Sequence, residues 1–363
     1  MVYPNIMAIM IRKYGINNII KSIPTLMDNL LVYSFLKKPK RGPLFVSWDI
    51  TSKCNFKCSY CNRWKSKKQE LDTLNKLKIV NQLGKAGVKM LSLCDGEPLL
   101  SDDLILIIKE AKKYNININI STNGYLLEKL ADKLIKSDLD SIIISVESHK
   151  DYVHDSIRKK GSFKSILAGI KKINKLRQNK KPFVSIRTLV NRKTFFQLHN
   201  FVSYWQTKVD EIMFQPIHSN PCLCFKIPKE MEFKQKEDLM CLKYFSVLLK
   251  NFKCLNNQYN KKIPSYLFDK NSLKKDIICF CGFLYIDIDA EGSVYPCIQH
   301  HINVGNLQKR TFDKIWNSDK LNKYRNSIKS KKNNCICWYN CSMIDIYMSK
   351  IFLKFKSNAQ NDT

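Results

Sequence analysis

A chain of 363 residues with 44% hydrophobic and 11% aromatic residues holds enough apolar mass for one large domain and a smaller one, which excludes a disordered polymer. Fourteen cysteines would indicate a disulfide framework in a small secreted protein. Here the chain is long and its start, MVYPNIMAIMIRKYG, lacks a signal peptide's apolar run and small-residue cleavage site, so the thiols read as ligands in a reducing cytoplasm. The net charge of +31, from 62 Lys+Arg against 31 Asp+Glu, favours anionic partners, but lysine is spread along the whole chain and no stripe marks a nucleic-acid face.

Residues 1–39 form an N-terminal extension in which 16–36, INNIIKSIPTLMDNLLVYSFL, are amphipathic. The favoured reading is a helix packed across the following domain and interrupted by Pro24; the other is a helix lying on a membrane surface. No window reaches the ~20 apolar residues of a membrane span. Residues 43–50, PLFVSWDI, read as a buried strand leading into TSKCNFKCSYCNRW at 51–64. In that loop Cys54, Cys58 and Cys61 stand in C-x3-C-x2-C spacing, with Tyr60 before the last. Four thiolates ordinarily close a cubane iron–sulfur cluster; three leave one iron open for chemistry. A zinc site wants four Cys or His ligands, and only one C-x2-C pair is present with no nearby His.

This stretch resembles the C-x3-C-x-aromatic-C signature of the radical S-adenosylmethionine superfamily. The resemblance implies that Cys54, Cys58 and Cys61 bind a 4Fe–4S cluster whose open iron is chelated by S-adenosylmethionine. It further implies reductive cleavage of that cofactor to a 5′-deoxyadenosyl radical, which abstracts hydrogen from a substrate.

The pattern then alternates. Helical periodicity over 71–86 is followed by a strand at 88–93, a helix at 102–113, a strand at 115–120 and a helix at 126–136. A strand at 141–148, a helix at 163–177, a strand at 183–190, a helix over 194–206 and a strand at 211–218 complete it. Such alternation predicts a parallel sheet with crossover helices, and it resembles the family's partial (β/α)6, TIM-like barrel, here over 40–220. Chemistry in such barrels sits at the C-terminal strand ends.

Asp95-Gly96-Glu97-Pro98 stands where the family has Gly-Gly-Glu-Pro, which implies that Glu97 meets the cofactor's amino group; the first Gly is Asp95 here. Ser121-Thr122-Asn123-Gly124 matches a recurrent S/T-x-N-G, with Ser121 and Asn123 as cofactor contacts. Ser145 matches a ribose contact, Glu147 stands where Asp is common, and Arg158 is placed to pair the methionine carboxylate. His154 and Asp155 read as caps of the next helix. Arg187 faces either inward or outward, and Gln215 and His218 are substrate-pocket candidates. Residues 221–278 connect the barrel to the C-terminal cysteines; Cys94, Cys222, Cys224, Cys241 and Cys254 read as buried thiols.

From Cys279 the pattern changes to a β-hairpin around Asp289-Ala290-Glu291-Gly292, carrying Cys281 and Cys297. Its layout, ten residues from Cys281 to Gly292 and four more to Cys297, the later Val-Gly-Asn and Ile-Trp-Asn-Ser, and Cys335-Ile336-Cys337-Trp338-Tyr339-Asn340-Cys341 resemble a SPASM or twitch domain (C-x9–15-G-x4-C), here over 279–345, with 346–363 as a tail. The resemblance implies one auxiliary 4Fe–4S cluster held by Cys281, Cys297 and two of Cys335, Cys337 and Cys341, with Cys279 a less favoured ligand.

The implied protein is a radical S-adenosylmethionine oxidoreductase or maturase acting on a small-molecule or peptide substrate, served by a flavodoxin- or ferredoxin-like electron donor. The extension before the barrel is short for a peptide-recognition domain. The reading from another class is a non-enzymatic module with zinc on the cysteines and lysines on nucleic-acid phosphates.

Overall fold

A computed structural model describes residues 13, 15–35, 38–66, 68–217, 225–233, 238–255, 257–274, 276–330, 337–338 and 345–349. Helix α1 (Ile16–Phe35) precedes strand β1 (Phe45–Asp49). There follow α2 (Thr73–Lys85), β2 (Met90–Cys94), α3 (Leu104–Lys113), β3 (Asn117–Thr122), α4 (Leu127–Lys136) and β4 (Ser141–Ser145). Two helices, α5 (Asp151–Ile157) and α6 (Ser162–Leu176), lead to β5 (Phe183–Val190), α7 (Leu198–Trp205) and β6 (Glu211–Pro216). The expected helix over 194–206 begins as a 3-10 turn, Phe195–Gln197, before α7. Helix α8 (Asp238–Asn251) and shorter helical turns reach the hairpin of β7 (Tyr285–Ile288) and β8 (Ser293–Tyr295), then β9 (Gly305–Asn306), α9 (Phe312–Trp316) and α10 (Asp319–Lys329).

Strand alternation makes the barrel. One face of each strand is apolar: Leu91, Leu93, Ile118, Ile120, Ile142, Ile144, Val184 and Ile186 are buried in a single core with the crossover helices. Each such side chain contributes about 1.5–3 kcal/mol by leaving water. The opposite face is polar and bonded from strand to strand. Ser141 donates to Asn119 at 3.0 Å, Asn119 to Ser92 at 2.9 Å, and Ser185 to Glu211 at 2.8 Å. The two faces therefore separate a dry outer layer from a polar lumen.

The sheet runs β6-β5-β4-β3-β2-β1-β7-β8-β9, parallel from β6 through β7. Strand β7 pairs with β1, Phe45 opposite Tyr285 and Ser47 opposite Asp287, so the cysteine hairpin prolongs the barrel sheet. Buried Arg325 fixes the helices behind it: its Nε donates to the Gly282 carbonyl at 2.7 Å and its guanidinium lies 4.2 Å from the Trp316 ring centroid.

Helix α1 crosses the N-terminal strand ends. Asn18 donates to Asn117 at 2.9 Å, Thr25 to the Gly87 carbonyl at 3.1 Å, and Asn29 to the Gly42 carbonyl at 2.9 Å. Contrary to expectation, Pro24 does not interrupt it. Pro24 and Ile20, whose carbonyl loses the bond, both stand on the exposed side, where water satisfies the oxygen. No described helix is long and apolar enough to cross a membrane.

Candidate active site

The loop after β1 carries Cys54, Cys58 and Cys61 at the C-terminal rim of the barrel. It is tied down on three sides: Glu97 N donates to the Lys53 carbonyl at 2.8 Å, Asn123 to the Asn55 side chain at 2.7 Å, and Ser59 N to the Ile157 carbonyl at 3.0 Å. Burial raises the pKa of all three thiols, that of Cys61 to about 11; charge on Cys58 also opposes ionisation of Cys54 and Cys61, and charge on Cys54 that of Cys61. Backbone amides oppose this: Arg63 N lies 3.4 Å from Cys61 Sγ, and the Phe56 amide serves Cys54. Among the described residues no three His, Cys, Asp or Glu side chains converge on one ion. Three mutually close thiols with amide donors, each free to take a different metal atom, fit a cluster.

Asp95 and Gly96 have φ of +61° and +52°. Asp tolerates this left-handed backbone better than most side chains, so replacing the first glycine preserves the turn. Gly96 is obligatory, because a Cβ there meets the Lys53 carbonyl at 2.5 Å and that of Thr51 at 2.7 Å. The Asp95 carboxylate pairs with Arg63, which also reaches Asp49 at 3.2 Å. Glu97 is fully buried. It accepts from Leu99 N at 3.0 Å, Thr122 Oγ1 at 2.6 Å and Asn123 N at 2.7 Å. Both its oxygens are thus engaged in joining the loop after β2 to the loop after β3. Asn123 also accepts from Tyr125 N at 3.0 Å, while Ser121 lies half-buried as the penultimate residue of β3.

Ser145 ends β4 opposite Arg187. Arg158 sends Nε and Nη2 to Glu147 at 2.8 and 2.6 Å, and its Nη1 lies 4.0 Å from Cys58 Sγ. Glu147 also accepts from Tyr60 Oη at 3.0 Å and Leu189 N at 3.2 Å. The aromatic of the cysteine motif and the arginine thus share one buried carboxylate. In the sequence Glu147 reads only as a lengthened Asp, and its spacing from Arg158 gives no sign of the pair. As expected, Asp155 caps α6 through Phe163 N at 2.9 Å; His154 does not cap that helix but, from within α5, accepts from Glu147 N at 3.1 Å through Nδ1.

Arg187 faces the lumen. Its guanidinium makes no hydrogen bond or ion pair among the described residues, its Nη2 is buried, and burial lowers its pKa. Neighbouring carboxylates are engaged elsewhere, Glu211 by Lys13 at 3.5 Å and Ser185 at 2.8 Å. Cys94 is not an apolar core thiol: its Sγ lies 3.1 Å from Ser47 Oγ and 3.7 Å from Asp49, whose pKa burial raises to about 6. Gln215, Tyr60 and Leu189 line a small open cavity of about 60 Å³ together with Phe225 and Lys226. Charged residues in WDI and YIDID were the available signal for this polar interior. Cys241 is buried, but Cys254 is exposed, because Leu255 takes the inward position of that turn. His218, Cys222 and Cys224 lie outside the described residues.

The second thiol group joins Cys279, Cys281 and Cys297. The sulfurs of Cys279 and Cys281 are 3.3 Å apart, Cys281 Sγ is 3.1 Å from Tyr324 Oη, and Gln299 N is 3.3 Å from Cys297 Sγ. Hydrogen bonding from Cys281, helped by the amides of His300 and Gln299, lowers the pKa of Cys297 despite burial. Cys279 therefore belongs with the hairpin thiols, which its i, i+2 spacing from Cys281 on an extended stretch could have signalled. Charge on Cys337 is felt at Cys279; Cys335 and Cys341 lie outside the described residues.

The model of the Radical SAM superfamily matches residues 48–201, and that of the SPASM iron–sulfur cluster-binding domain matches residues 279–342. A probable GTP 3′,8-cyclase of Thermococcus kodakarensis is 32% identical over 33% of this chain, and the match spans only 40% of that protein. An AdoMet-dependent heme synthase of Methanosarcina barkeri is 25% identical, over 82% of this chain and 89% of its own. A cysteine-type anaerobic sulfatase-maturating enzyme of Clostridium novyi is 26% identical, over 86% and 88%. In fold, the chain resembles Streptococcus suis SuiB bound to its precursor peptide SuiA, with a TM-score of 0.62 and 15% identity over 85% of this chain and 70% of that one.

Proposed function

From a chain that belongs to the radical S-adenosylmethionine superfamily and ends in a SPASM domain, we propose an enzyme that abstracts hydrogen from a substrate carrying an anionic group, a peptide or a small carboxylate. The observation that carries this reading is the trio Cys54, Cys58 and Cys61 on the rim of a polar lumen that contains Arg187, which has no hydrogen-bond or ion-pair partner among the described residues.

Those three thiolates would hold a 4Fe–4S cluster. With S-adenosylmethionine bound, that cluster supplies reductive sulfonium cleavage and a 5′-deoxyadenosyl radical. The chain's own residues hold and shape the place where this happens. Glu97, Asn123 and Gly96 brace the cysteine loop against the next two strand ends. Arg158, fixed by Glu147 and Tyr60, places positive charge beside Cys58. Ser121 and Ser145 offer hydroxyls on the lumen side of β3 and β4 for polar edges of the cofactor.

Arg187 gives the substrate anion a fork-shaped seat, since its carboxylate neighbour Glu211 is already held by Lys13 and Ser185. Cys279, Cys281 and Cys297, with Cys335, Cys337 and Cys341 as the remaining donors, would hold an auxiliary cluster, and a small electron-transfer protein would supply electrons from outside. A peptide substrate draws support from the sulfatase-maturating relative, itself named for acting on a protein.

Anaerobic reconstitution with iron and sulfide tests this. The wild type is expected to bind iron at both sites and to release 5′-deoxyadenosine under reductant. Uptake of zinc alone, with no cofactor cleavage, would sink the reading. Arg187→Met should keep both iron content and substrate-free cleavage. If instead its S-adenosylmethionine affinity falls more than about tenfold, worth ~1.4 kcal/mol, the lumen anion is the cofactor's own carboxylate.

A further inference from the structure

Six of the fourteen exposed large apolar side chains among the described residues lie on α1: Ile16, Ile20, Ile23, Met27, Leu31 and Phe35, each between 48% and 64% exposed. Their spacings of three and four residues align them in one ridge. At about 1.5 Å per residue the ridge is roughly 28 Å long. This is not a core face left uncovered, because α1 already packs its other side, through Thr25, Asn29 and Val32, against the barrel. A surface helix docked in this way ordinarily turns polar side chains outward.

The surroundings of the ridge are basic. Lys21, Lys38 and Lys40 are exposed beside it. Burial, with Arg41 and Lys21 as neighbouring charges, lowers the pKa of Lys89, so these cations share one electrostatic neighbourhood. Lys329 reaches the Ser34 carbonyl at 2.7 Å near the far end of the helix. The sole acidic residue of α1, Asp28, is engaged by the amides of Lys40 and Arg41 at 3.0 and 2.8 Å. The helix crosses the N-terminal strand ends, at Gly87 and Asn117, whereas the cysteine loop lies at the C-terminal ends. The ridge therefore faces away from the lumen mouth.

We propose that this ridge docks the protein on an anionic phospholipid surface. Helix α1 lies in the interface with its apolar side chains at the acyl boundary, and the lysine rim meets the lipid phosphates. A second copy fits the same ridge poorly. Pairing would bring two identical lysine rims together on chains that each carry a net +31. A standard interface also needs about 800 Å² per partner, more than six half-exposed side chains on one helix provide. Docking through α1 does not depend on the reaction proposed above.

Flotation of the reconstituted full-length protein tests it, with vesicles of phosphatidylcholine alone and with about 30% phosphatidylglycerol. Flotation with the anionic vesicles is expected, declining as salt rises from about 50 to 500 mM and the Debye length shrinks. The double variant Ile20→Glu/Met27→Glu should lower the bound-to-free ratio at least about tenfold, with iron content and circular dichroism unchanged. Leu74→Glu, at an exposed apolar site on α2, should float like the wild type. Ile20→Ser/Met27→Ser removes the apolar contacts without added charge and should also weaken binding. Wild type that floats with neither vesicle overturns the proposal, as does an Ile20→Glu/Met27→Glu variant that floats unchanged. A wild-type dimer that this variant makes monomeric overturns it in favour of self-association.

Discussion

The two thiol groups are built on opposite plans. Cys54, Cys58 and Cys61 come from one loop, and their brace is ionic: the buried Arg158–Glu147 pair stands against Cys58 and Tyr60. Cys279, Cys281 and Cys297 come from an extended stretch and a hairpin, and their brace is neutral: Tyr285, Tyr324 and His300 ring the sulfurs. A loop that must hold three ligands and leave room for a small molecule gains from a fixed cation beside it. A site closed by protein ligands needs only shape and satisfied hydroxyls.

The largest expected effect comes from deleting one ligand in each. Cys58→Ala should lower 5′-deoxyadenosine formation by more than about a hundredfold, beyond what loss of an outer partner costs at a metal site. Cys281→Ala should lose iron yet retain substrate-free cofactor cleavage within about tenfold, because among the described residues no hydrogen bond joins the hairpin to the sulfurs of the first trio. Chromatographic product assay and iron analysis decide it; equal loss of cleavage in both variants would make the two groups one functional unit.

The same contrast governs what could be read from sequence. The first trio was legible because its ligands lie within eight residues and their spacing fixes their geometry. The strand-and-helix alternation was legible because the outward strand faces are uniformly apolar, as in Ile142 and Ile144. Cys279 joins the hairpin group through its sulfur, 3.3 Å from that of Cys281, which their i, i+2 spacing offered; the pairing of β7 with β1 was hidden, because Phe45 and Tyr285 are 240 residues apart. The Tyr60–Glu147–Arg158 centre was equally hidden, since Tyr60 and Glu147 are 87 residues apart. The outward ridge of α1 was ambiguous for another reason: a helical apolar stripe looks the same whether it faces a core or a membrane.

Breaking the braces gives the intermediate effect. Glu147→Gln leaves Arg158 as an uncompensated buried charge and should cost about 3–5 kcal/mol in urea denaturation. Tyr324→Phe removes the hydroxyl that meets Cys281 at 3.1 Å and His300 at 2.7 Å, and should cost about 0.5–1.5 kcal/mol. Comparable losses would mean that the barrel brace is not ionic in effect.

The smallest effect separates backbone from charge at Asp95. This residue occupies a left-handed conformation, with φ of +61°, and its carboxylate pairs with Arg63 beside Cys61. Asp95→Gly relieves the backbone but loses the pair, so the two changes offset and stability should move by less than about 1 kcal/mol. Asp95→Ala loses the pair and keeps a Cβ in that conformation, so it should be less stable than the glycine variant by about 1 kcal/mol. Matched urea midpoints for Gly and Ala would show that the turn is not held left-handed. A gap of the expected size would make this loop, which Arg63 ties to the first trio, the place where the ionic plan also sets the backbone.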